Sequence, residues 1–132
     1  MKALDTNAVV RFLVKDDVKQ SQAVYKILID AEKKGTAVFI SAAVVLETIW
    51  VLSSVYKCTR NDIKQALEHL LVLPVLEIEA HDRIAALCRV ADVSDVDLAD
   101  LLIGLTSRDS GCETTLTFDR RASKSDLFTL IA

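Results

Sequence analysis

Residues Asp97 to Arg121 read DLADLLIGLTSRDSGCETTLTFDRR, and their order of elements decides the fold. An acidic start leads into an apolar helix body, Leu98 to Leu105, and a turn at Ser110-Gly111. The segment then becomes β-rich, Thr115 to Phe118, and ends on Asp119. A helix, a turn and a strand with a functional residue at its carboxyl end are typical of α/β proteins, whose ligands bind beyond the carboxyl ends of the strands.

The composition indicates one compact domain. The chain has 132 residues, of which 52% are hydrophobic, enough to bury a core. Its net charge of −3 gives no global sign of nucleic acid or an anionic membrane as a partner, so any polyanion would have to bind through a local patch. The three widely spaced cysteines argue against a disulfide framework or a structural zinc site and favour a reducing cytoplasm. The longest uncharged apolar run, Ala37 to Leu46, is too short for a bilayer, and no secretory signal is visible, so we expect a soluble cytoplasmic protein without a membrane.

Strand-like and helical segments alternate along the chain. Lys2 to Leu4 is predicted to be a buried strand, followed by a polar corner, Asp5-Thr6-Asn7, that caps a helix. Further strands are predicted over 37–40, 75–78, 115–118 and 127–131, and helices over 8–14, 18–34, 42–56, 59–73, 80–90 and from 98. This alternation implies βαβ crossovers and a mostly parallel sheet covered on both faces. Asp5 and Asp119, which both end strands, are then expected on the same rim.

Glu47 is the single carboxylate in the helix over 42–56, which is apolar nearly all round. A carboxylate in such surroundings is expected to be paired, neutral or bound to a cation, because burying it uncompensated is expensive.

Each acidic residue also has an ordinary explanation. Asp97 and Asp100 form a near capping box, and Asp97 alone is better explained as a cap, whereas capping and function fit Asp5 equally well. Asp119 could be a turn residue or pair with a following arginine, and Glu47 could be salt-bridged.

One shared divalent cation explains these carboxylates more economically than four separate causes. Carboxylates without a suitably placed His or Cys favour Mg2+ or Mn2+, which lower the pKa of bound water and stabilise charge developing on phosphorus. His69 and His81 fall in predicted helices away from these corners, where structural roles are expected. Gly104, one turn after Asp100, predicts close approach of another element.

Four segments together resemble the PIN-domain ribonucleases, in particular the VapC toxins of prokaryotic toxin–antitoxin pairs. They are Leu4 to Asn7, the lone Glu47, Asp97 to Ile103, and Thr117 to Arg121. The likeness spans essentially the whole chain in the family's order. It implies a single PIN domain over residues 1–132 with a three-layer α/β/α fold and a central, mostly parallel sheet.

The resemblance also implies the site. Asp5, Glu47, Asp100 and Asp119 match the family's catalytic, metal-binding acidic quartet, and Asp97 matches an accessory metal ligand. Thr6, Asn7 and Thr117 match supporting positions. Gly104 is a local departure, since Ala is commoner there.

The implied activity is that of an endoribonuclease toxin, dependent on Mg2+ with Mn2+ as a substitute, that cleaves RNA by metal-activated water. The implied partners are RNA, a VapB-type antitoxin that covers the acidic groove, and a second copy in a homodimer. Basic residues that could contact an RNA backbone, although such side chains are usually just solvated, are Arg11, Lys15, Lys57, Arg60, Arg108, Arg120 and Arg121.

Two alternatives belong to other functional classes. A noncatalytic PIN-like interaction module would need no metal, but the intact quartet argues against it. A metal-dependent phosphatase of the haloacid dehalogenase type also begins with a strand that ends in Asp. Its D-x-D corner needs a second acid where this chain has Asn7.

Overall fold

The computed structural model describes residues 1–132, which fall into two compact units, Met1–His81 and Asp82–Ala132. The first unit contains β1 (Lys2–Ala3), α1 (Thr6–Val14), α2 (Val18–Lys34), β2 (Val38–Ile40), α3 (Ala42–Ser54), α4 (Arg60–Leu71) and β3 (Leu76–Ile78). Helix α5 (His81–Ala91) begins at the boundary, and the second unit continues with α6 (Leu98–Asp109), β4 (Thr115–Thr117), a 3-10 turn η1 (Ala122–Lys124) and β5 (Phe128–Leu130). The single domain predicted over 1–132 stays a prediction. None of the helices is both long and apolar enough to cross a membrane.

The three strands of the first unit form a parallel sheet in the order β1-β2-β3. Parallel neighbours need a crossover connection, which α1 and α2 provide between the first two strands and α3 and α4 between the next two. Val38 and Ile40 of the central strand β2 are almost completely buried. The carboxyl ends of all three strands therefore share one edge, which Asp5, Ser41 and Glu79 follow.

The prediction that β1 is buried is wrong. Lys2 and Ala3 are both exposed, and Leu4, directly after the strand, is the first buried residue of the chain. Within the three-stranded sheet, β1 is an edge strand that pairs only with β2, and edge strands keep contact with water. The apolar start of the chain thus contributes one core residue.

Polar side chains begin the helices of the first unit, as the sequence predicts. Asp5 accepts a hydrogen bond from the N–H of Ala8, and Ser41 accepts one from Val44. Helix α2 has its predicted bounds and ends at Gly35, whose φ of 68° is a left-handed conformation that glycine adopts without steric cost.

The second unit is built around a parallel pair of short strands. β4 pairs with β5 so that Thr115 lies opposite Phe128 and Thr117 opposite Leu130. The connection between them contains η1, which the sequence analysis did not predict. The core of the second unit includes Ile84, Leu87, Val96, Leu101 and Leu105, which are all almost completely buried.

All strand pairings in the structure are parallel, and helices connect the strands of the first unit, so the predicted α/β class is confirmed. None of the three cysteines forms a disulfide in the structure.

Gly104 of α6 makes the close approach that its position predicts. A Cβ atom there would lie 2.9 Å from Cε2 of Phe128 and 3.0 Å from Cβ of Leu127. Both distances are shorter than ordinary van der Waals contacts, and Phe128 and Leu127 are themselves buried. Glycine at this position therefore lets β5 pack directly against the helix backbone.

Gly104→Ala is expected to destabilise the protein despite the better helix propensity of alanine. Propensity favours alanine by about 1 kcal/mol, whereas overpacking of a core costs about 1–3 kcal/mol, so we expect the free energy of unfolding to fall by up to about 2 kcal/mol. Urea denaturation measures this change. The same substitution in a Phe128→Leu background, which removes the ring, should cost less. An equal or stabilising effect in both backgrounds would contradict the packing shown here.

Candidate acidic site

Asp5 holds the start of α1 through one carboxylate oxygen. Its Oδ1 accepts the hydrogen bond from Ala8 N at 2.9 Å. Asp5 is exposed and makes no other hydrogen bond or ion pair, so Oδ2 remains available. Asn7, one of the predicted supporting residues, is exposed and its side chain makes no hydrogen bond.

Thr6 links α1 to Glu47 of α3. The Thr6 hydroxyl donates a hydrogen bond to Glu47 Oε1, and Thr6 is buried. The structure therefore places the Glu47 carboxylate against the first residue of α1, which directly follows Asp5 in the chain.

The expectation that Glu47 is enclosed by apolar side chains is wrong. Glu47 is exposed, and so is Trp50 one turn later, at 60%. Helix α3 buries Val45, Thr48, Ile49 and Leu52, which leaves the face with Glu47 open to water. The carboxylate is therefore hydrated, and its partner is the Thr6 hydroxyl rather than a basic side chain.

Asp97 is the N-cap of α6 in the second unit. Its Oδ1 accepts hydrogen bonds from Ala99 N at 2.9 Å and Asp100 N at 3.3 Å. The capping role predicted for Asp97 is confirmed. The near capping box is only half formed, because the Asp100 side chain does not bond back to the backbone of Asp97.

Asp100 is the one carboxylate of this unit's predicted set without a structural hydrogen bond. It is half-buried in the first turn of α6, and its side chain makes no hydrogen bond or ion pair. Burial raises the pKa of the Asp100 carboxyl above its ordinary 3.8, and the nearby carboxylates of Asp97 and Asp119 raise it further. The charges of Asp97 and Asp119 thus each disfavour the ionised form of Asp100.

Asp119 is fixed by the turn that follows β4. Its backbone N–H donates to Thr117 Oγ1 at 2.9 Å, and its Oδ1 accepts from the backbone N–H groups of Arg121 at 2.8 Å and Ala122 at 3.1 Å. The supporting position predicted for Thr117 therefore contacts Asp119 directly. Neither the Arg120 nor the Arg121 guanidinium pairs with the Asp119 carboxylate, so an ion pair with a following arginine is excluded as the explanation of Asp119.

The donor chemistry of these residues fits a hard divalent cation. Asp97, Asp100 and Asp119 offer oxygen ligands only, and none of the three pairs with a basic side chain. The structure contains no group of three or more His, Cys, Asp or Glu side chains already arranged around a metal position. The fit therefore rests on the type and charge of the ligands, with the raised pKa of Asp100 as the mark of a charge that a cation would offset.

The basic residues predicted as possible RNA contacts differ in their availability. Arg11 is engaged by Asp16, Gln20 and the Tyr56 hydroxyl, at 2.7 Å from the last two, so it connects α1 to α2 and to the residues after α3. Arg11 thus has structural contacts, and its contact with RNA stays a prediction. Arg120 and Arg121 are exposed and make no side-chain pair.

Glu79 is a carboxylate that the sequence analysis missed. It follows β3 at the same sheet edge as Asp5, and its Oε1 accepts a hydrogen bond from Ala42 N at 2.7 Å, at the start of α3. Its position directly after a strand was the available signal. The contact shows a cap for the helix that bears Glu47.

His69 and His81, for which structural roles were predicted, both have contacts of that kind. The His69 ring stacks on Phe12 with the ring centroids 6.0 Å apart, and His81 Nε2 lies 3.1 Å from the Leu71 carbonyl oxygen. Neither contact involves a predicted site residue.

Comparison with known families gives the deciding observation. The model of the PIN domain matches residues 2–126. The chain belongs to the PIN-domain family. A VapC ribonuclease from Aquifex aeolicus (strain VF5) is 24% identical over 124 residues, which cover 94% of this chain and 91% of that protein. No solved structure matches the chain. The PIN-like α/β/α class predicted from the sequence is therefore confirmed.

The PIN-domain match includes every predicted site residue, from Asp5 to Asp119. In this family member, Asp5, Thr6 and Glu47 belong to the first unit, and Asp97, Asp100, Thr117 and Asp119 to the second. The grouping of the four acids as one catalytic set stays a prediction.

Asp100→Asn is expected to leave the thermal stability of the metal-free protein unchanged or raised at pH 7. Because the folded pKa of Asp100 is raised, the folded state binds its proton more tightly than the unfolded chain does. The ionised carboxylate therefore lowers stability at neutral pH, and this penalty disappears as the pH falls through the folded pKa. Melting curves in EDTA between pH 7 and about pH 4 test the sign.

Glu113→Gln is a matched control, since Glu113 is an exposed acid of the same unit without a pairing partner. It removes the same charge and should shift the melting temperature little at any pH in this range. A lower melting temperature of Asp100→Asn at pH 7, recovered at low pH, would show that the charge stabilises the fold and would contradict the repulsion.

Proposed function

We propose that this PIN-domain protein is a metal-dependent endoribonuclease and the toxin of a VapBC-type pair. The observation behind the proposal is the set formed by Asp97, Asp100 and Asp119, in which Asp100 is half-buried without any hydrogen bond and has its pKa raised by burial and by the charges of the other two. Such a set is unfavourable for stability by itself, and perturbed carboxylates of this kind cluster at functional sites. The VapC name of the Aquifex relative supports the ribonuclease activity.

Asp5, Glu47, Asp100 and Asp119 are proposed to act together as metal-binding catalytic acids, with Asp97 as an accessory ligand. When bound, Mg2+ or Mn2+ would lower the pKa of its water ligand and stabilise the negative charge that develops at the phosphorus. The capping bonds of Asp5, Asp97 and Asp119 fix the position of one oxygen each and leave the other for the ion. The Thr6 hydroxyl orients Glu47, and Thr117 orients the backbone of Asp119.

Cleavage is expected to leave a 5′-phosphate and a 3′-hydroxyl. His69 stacks on Phe12, and His81 Nε2 lies beside the Leu71 carbonyl, so neither of these contacts places an imidazole where it would activate a 2′-hydroxyl. Mass spectrometry of the products of an RNA oligonucleotide incubated with Mg2+ or Mn2+ identifies the ends. Products with 2′,3′-cyclic phosphate, or full activity in excess EDTA, would contradict the proposal.

Asp100→Asn tests the ligand role directly. It should abolish cleavage and reduce the rise in melting temperature that Mn2+ gives, since a ligand that binds only the folded state stabilises it according to its affinity. Asp97→Asn should lower activity less, because asparagine keeps the cap and Asp97 is accessory. Wild-type cleavage and full Mn2+ stabilisation in Asp100→Asn would remove Asp100 from the site.

The proposed partners are RNA, a second copy of the chain in a homodimer, and a VapB-type antitoxin in the cytoplasm. A carboxylate set that binds metal also suits guanidinium groups, so the antitoxin should present Arg or Lys to it.

Antitoxin binding is therefore expected to compete with Mn2+. Titrating Mn2+ into the complex with the antitoxin encoded beside the toxin, followed by calorimetry, should show weakened antitoxin affinity and restored cleavage. An affinity that ignores Mn2+, together with RNase activity that persists at saturation, would count against competition at the acidic set.

A noncatalytic PIN-like module is the second candidate. The absence of a group of acids already arranged around a metal position favours it. Calorimetric titration of the protein with Mn2+ separates the two functions, because the module predicts no saturable binding and no effect of Asp100→Asn on it.

A further inference from the structure

The residue before Asp119 is an aromatic side chain in contact with water. Phe118 is 77% exposed, and Leu116, two residues earlier, is 64% exposed. Successive residues of a strand point to opposite faces, so Leu116 of β4 lies on the face opposite the half-buried Thr115 and Thr117, and Phe118 follows directly after the strand. A phenyl ring left in water forfeits the free energy that its burial would give. Exposed apolar residues that are grouped mark binding surfaces.

The backbone around Phe118 is held in place by hydrogen bonds. Asp119 N donates to Thr117 Oγ1, and Asp119 Oδ1 accepts from two backbone N–H groups of the following turn. Ser123 adds a bond from its backbone N–H to the Asp119 carbonyl and one from its hydroxyl to the Arg120 carbonyl. The exposed ring therefore stands on an ordered turn, where a ligand would meet it without first ordering the chain.

Two arginines without pairing partners follow on the same turn. Arg120 and Arg121 are exposed and form no ion pair, whereas Arg83 of the same unit bonds Asp109 at 2.8 Å. Guanidinium groups recognise phosphates through several parallel hydrogen bonds. An exposed ring next to unpaired guanidinium groups is the combination with which proteins bind single-stranded nucleic acid, by stacking on a base and contacting the backbone.

A protein partner explains the ring and Leu116 but leaves the two arginines without a role. An RNA strand uses both, since the base stacks on the ring and the phosphates on either side meet the guanidinium groups. Asp119, directly after the ring, belongs to the acidic set proposed to cut the strand.

We propose that Phe118 is a substrate-binding residue that stacks on an unpaired base next to the cleaved phosphate, with Arg120 and Arg121 contacting neighbouring phosphates. This inference rests on the proposed ribonuclease function. It selects RNA whose base at that position is free to leave its own stack.

The test compares Phe118→Leu, which keeps an apolar side chain without the ring, with Phe118→Tyr, which keeps the ring. Binding of a fluorescent single-stranded RNA oligonucleotide is measured by anisotropy with Mn2+ in the Asp100→Asn background, so that the RNA stays intact. Loss of one stacked base should weaken binding by about five- to a hundredfold in Phe118→Leu, with Phe118→Tyr close to the parent. Leu116→Ala, at an exposed apolar residue of the adjacent strand without a ring, is the matched control and should bind RNA like the parent.

An abasic nucleotide walked along the oligonucleotide locates the stacked base. One abasic position should weaken binding by the parent and have little further effect on Phe118→Leu, because the two changes remove the same contact. In the active protein, Phe118→Leu should lower kcat/KM by a similar factor while Mn2+ binding stays unchanged.

Equal binding by Phe118→Leu and the parent would overturn the proposal. A change in the sedimentation coefficient of both single variants, Phe118→Leu and Leu116→Ala, would also overturn the proposal. It would assign the two exposed residues to a protein interface. Failure of the proposed function looks different, since the wild-type protein would neither cut RNA nor bind Mn2+, whereas the anisotropy series still reports on the ring.

Discussion

Backbone N–H groups at the start of a helix need acceptors, and in this protein carboxylates supply them. Oδ1 of Asp5 caps the first turn of α1, and Oδ1 of Asp97 caps the first turn of α6. Oδ1 of Asp119 accepts from the backbone of the turn that leads into η1. A cap of this kind stabilises by about 1 kcal/mol, and the helix dipole favours the negative charge. Capping and metal binding are therefore compatible roles, because a cap orients the carboxylate and engages only one of its two oxygens.

Asp100 shows what this arrangement costs. It lies beside two capping carboxylates, it is half-buried, and it has no hydrogen bond of its own. The fold gains nothing visible from its charge, and the raised pKa records that the ionised form is disfavoured. Local conflicts of this type, placed inside an otherwise consistent structure, are where a sequence departs from what stability alone requires. The PIN-domain membership gives this departure its functional interpretation.

Local chemistry decided what the sequence predicted well. The caps by Asp5 and Asp97 follow from residue type beside a helical pattern, and the close approach at Gly104 follows from a glycine on a packed face. The errors arose where three-dimensional packing decides. An apolar helix was expected to enclose Glu47, but only one face of α3 is covered, so the carboxylate reaches water. The partners of Arg11 could not be predicted either, because they come from residues up to 45 positions away in the sequence.

Net charge hides how the charges are used. The chain has nearly balanced numbers of acids and bases, yet the turn after β4 keeps both signs unneutralised within three residues. Oδ1 of Asp119 is engaged by the backbone N–H of Arg121, and neither the guanidinium of that residue nor that of Arg120 pairs with the carboxylate. A cation and a phosphate can consequently be attracted to the same short segment. In the proposed nuclease, a segment that carries a carboxylate oxygen and two guanidinium groups without ion-pair partners would hold a divalent ion beside a phosphate.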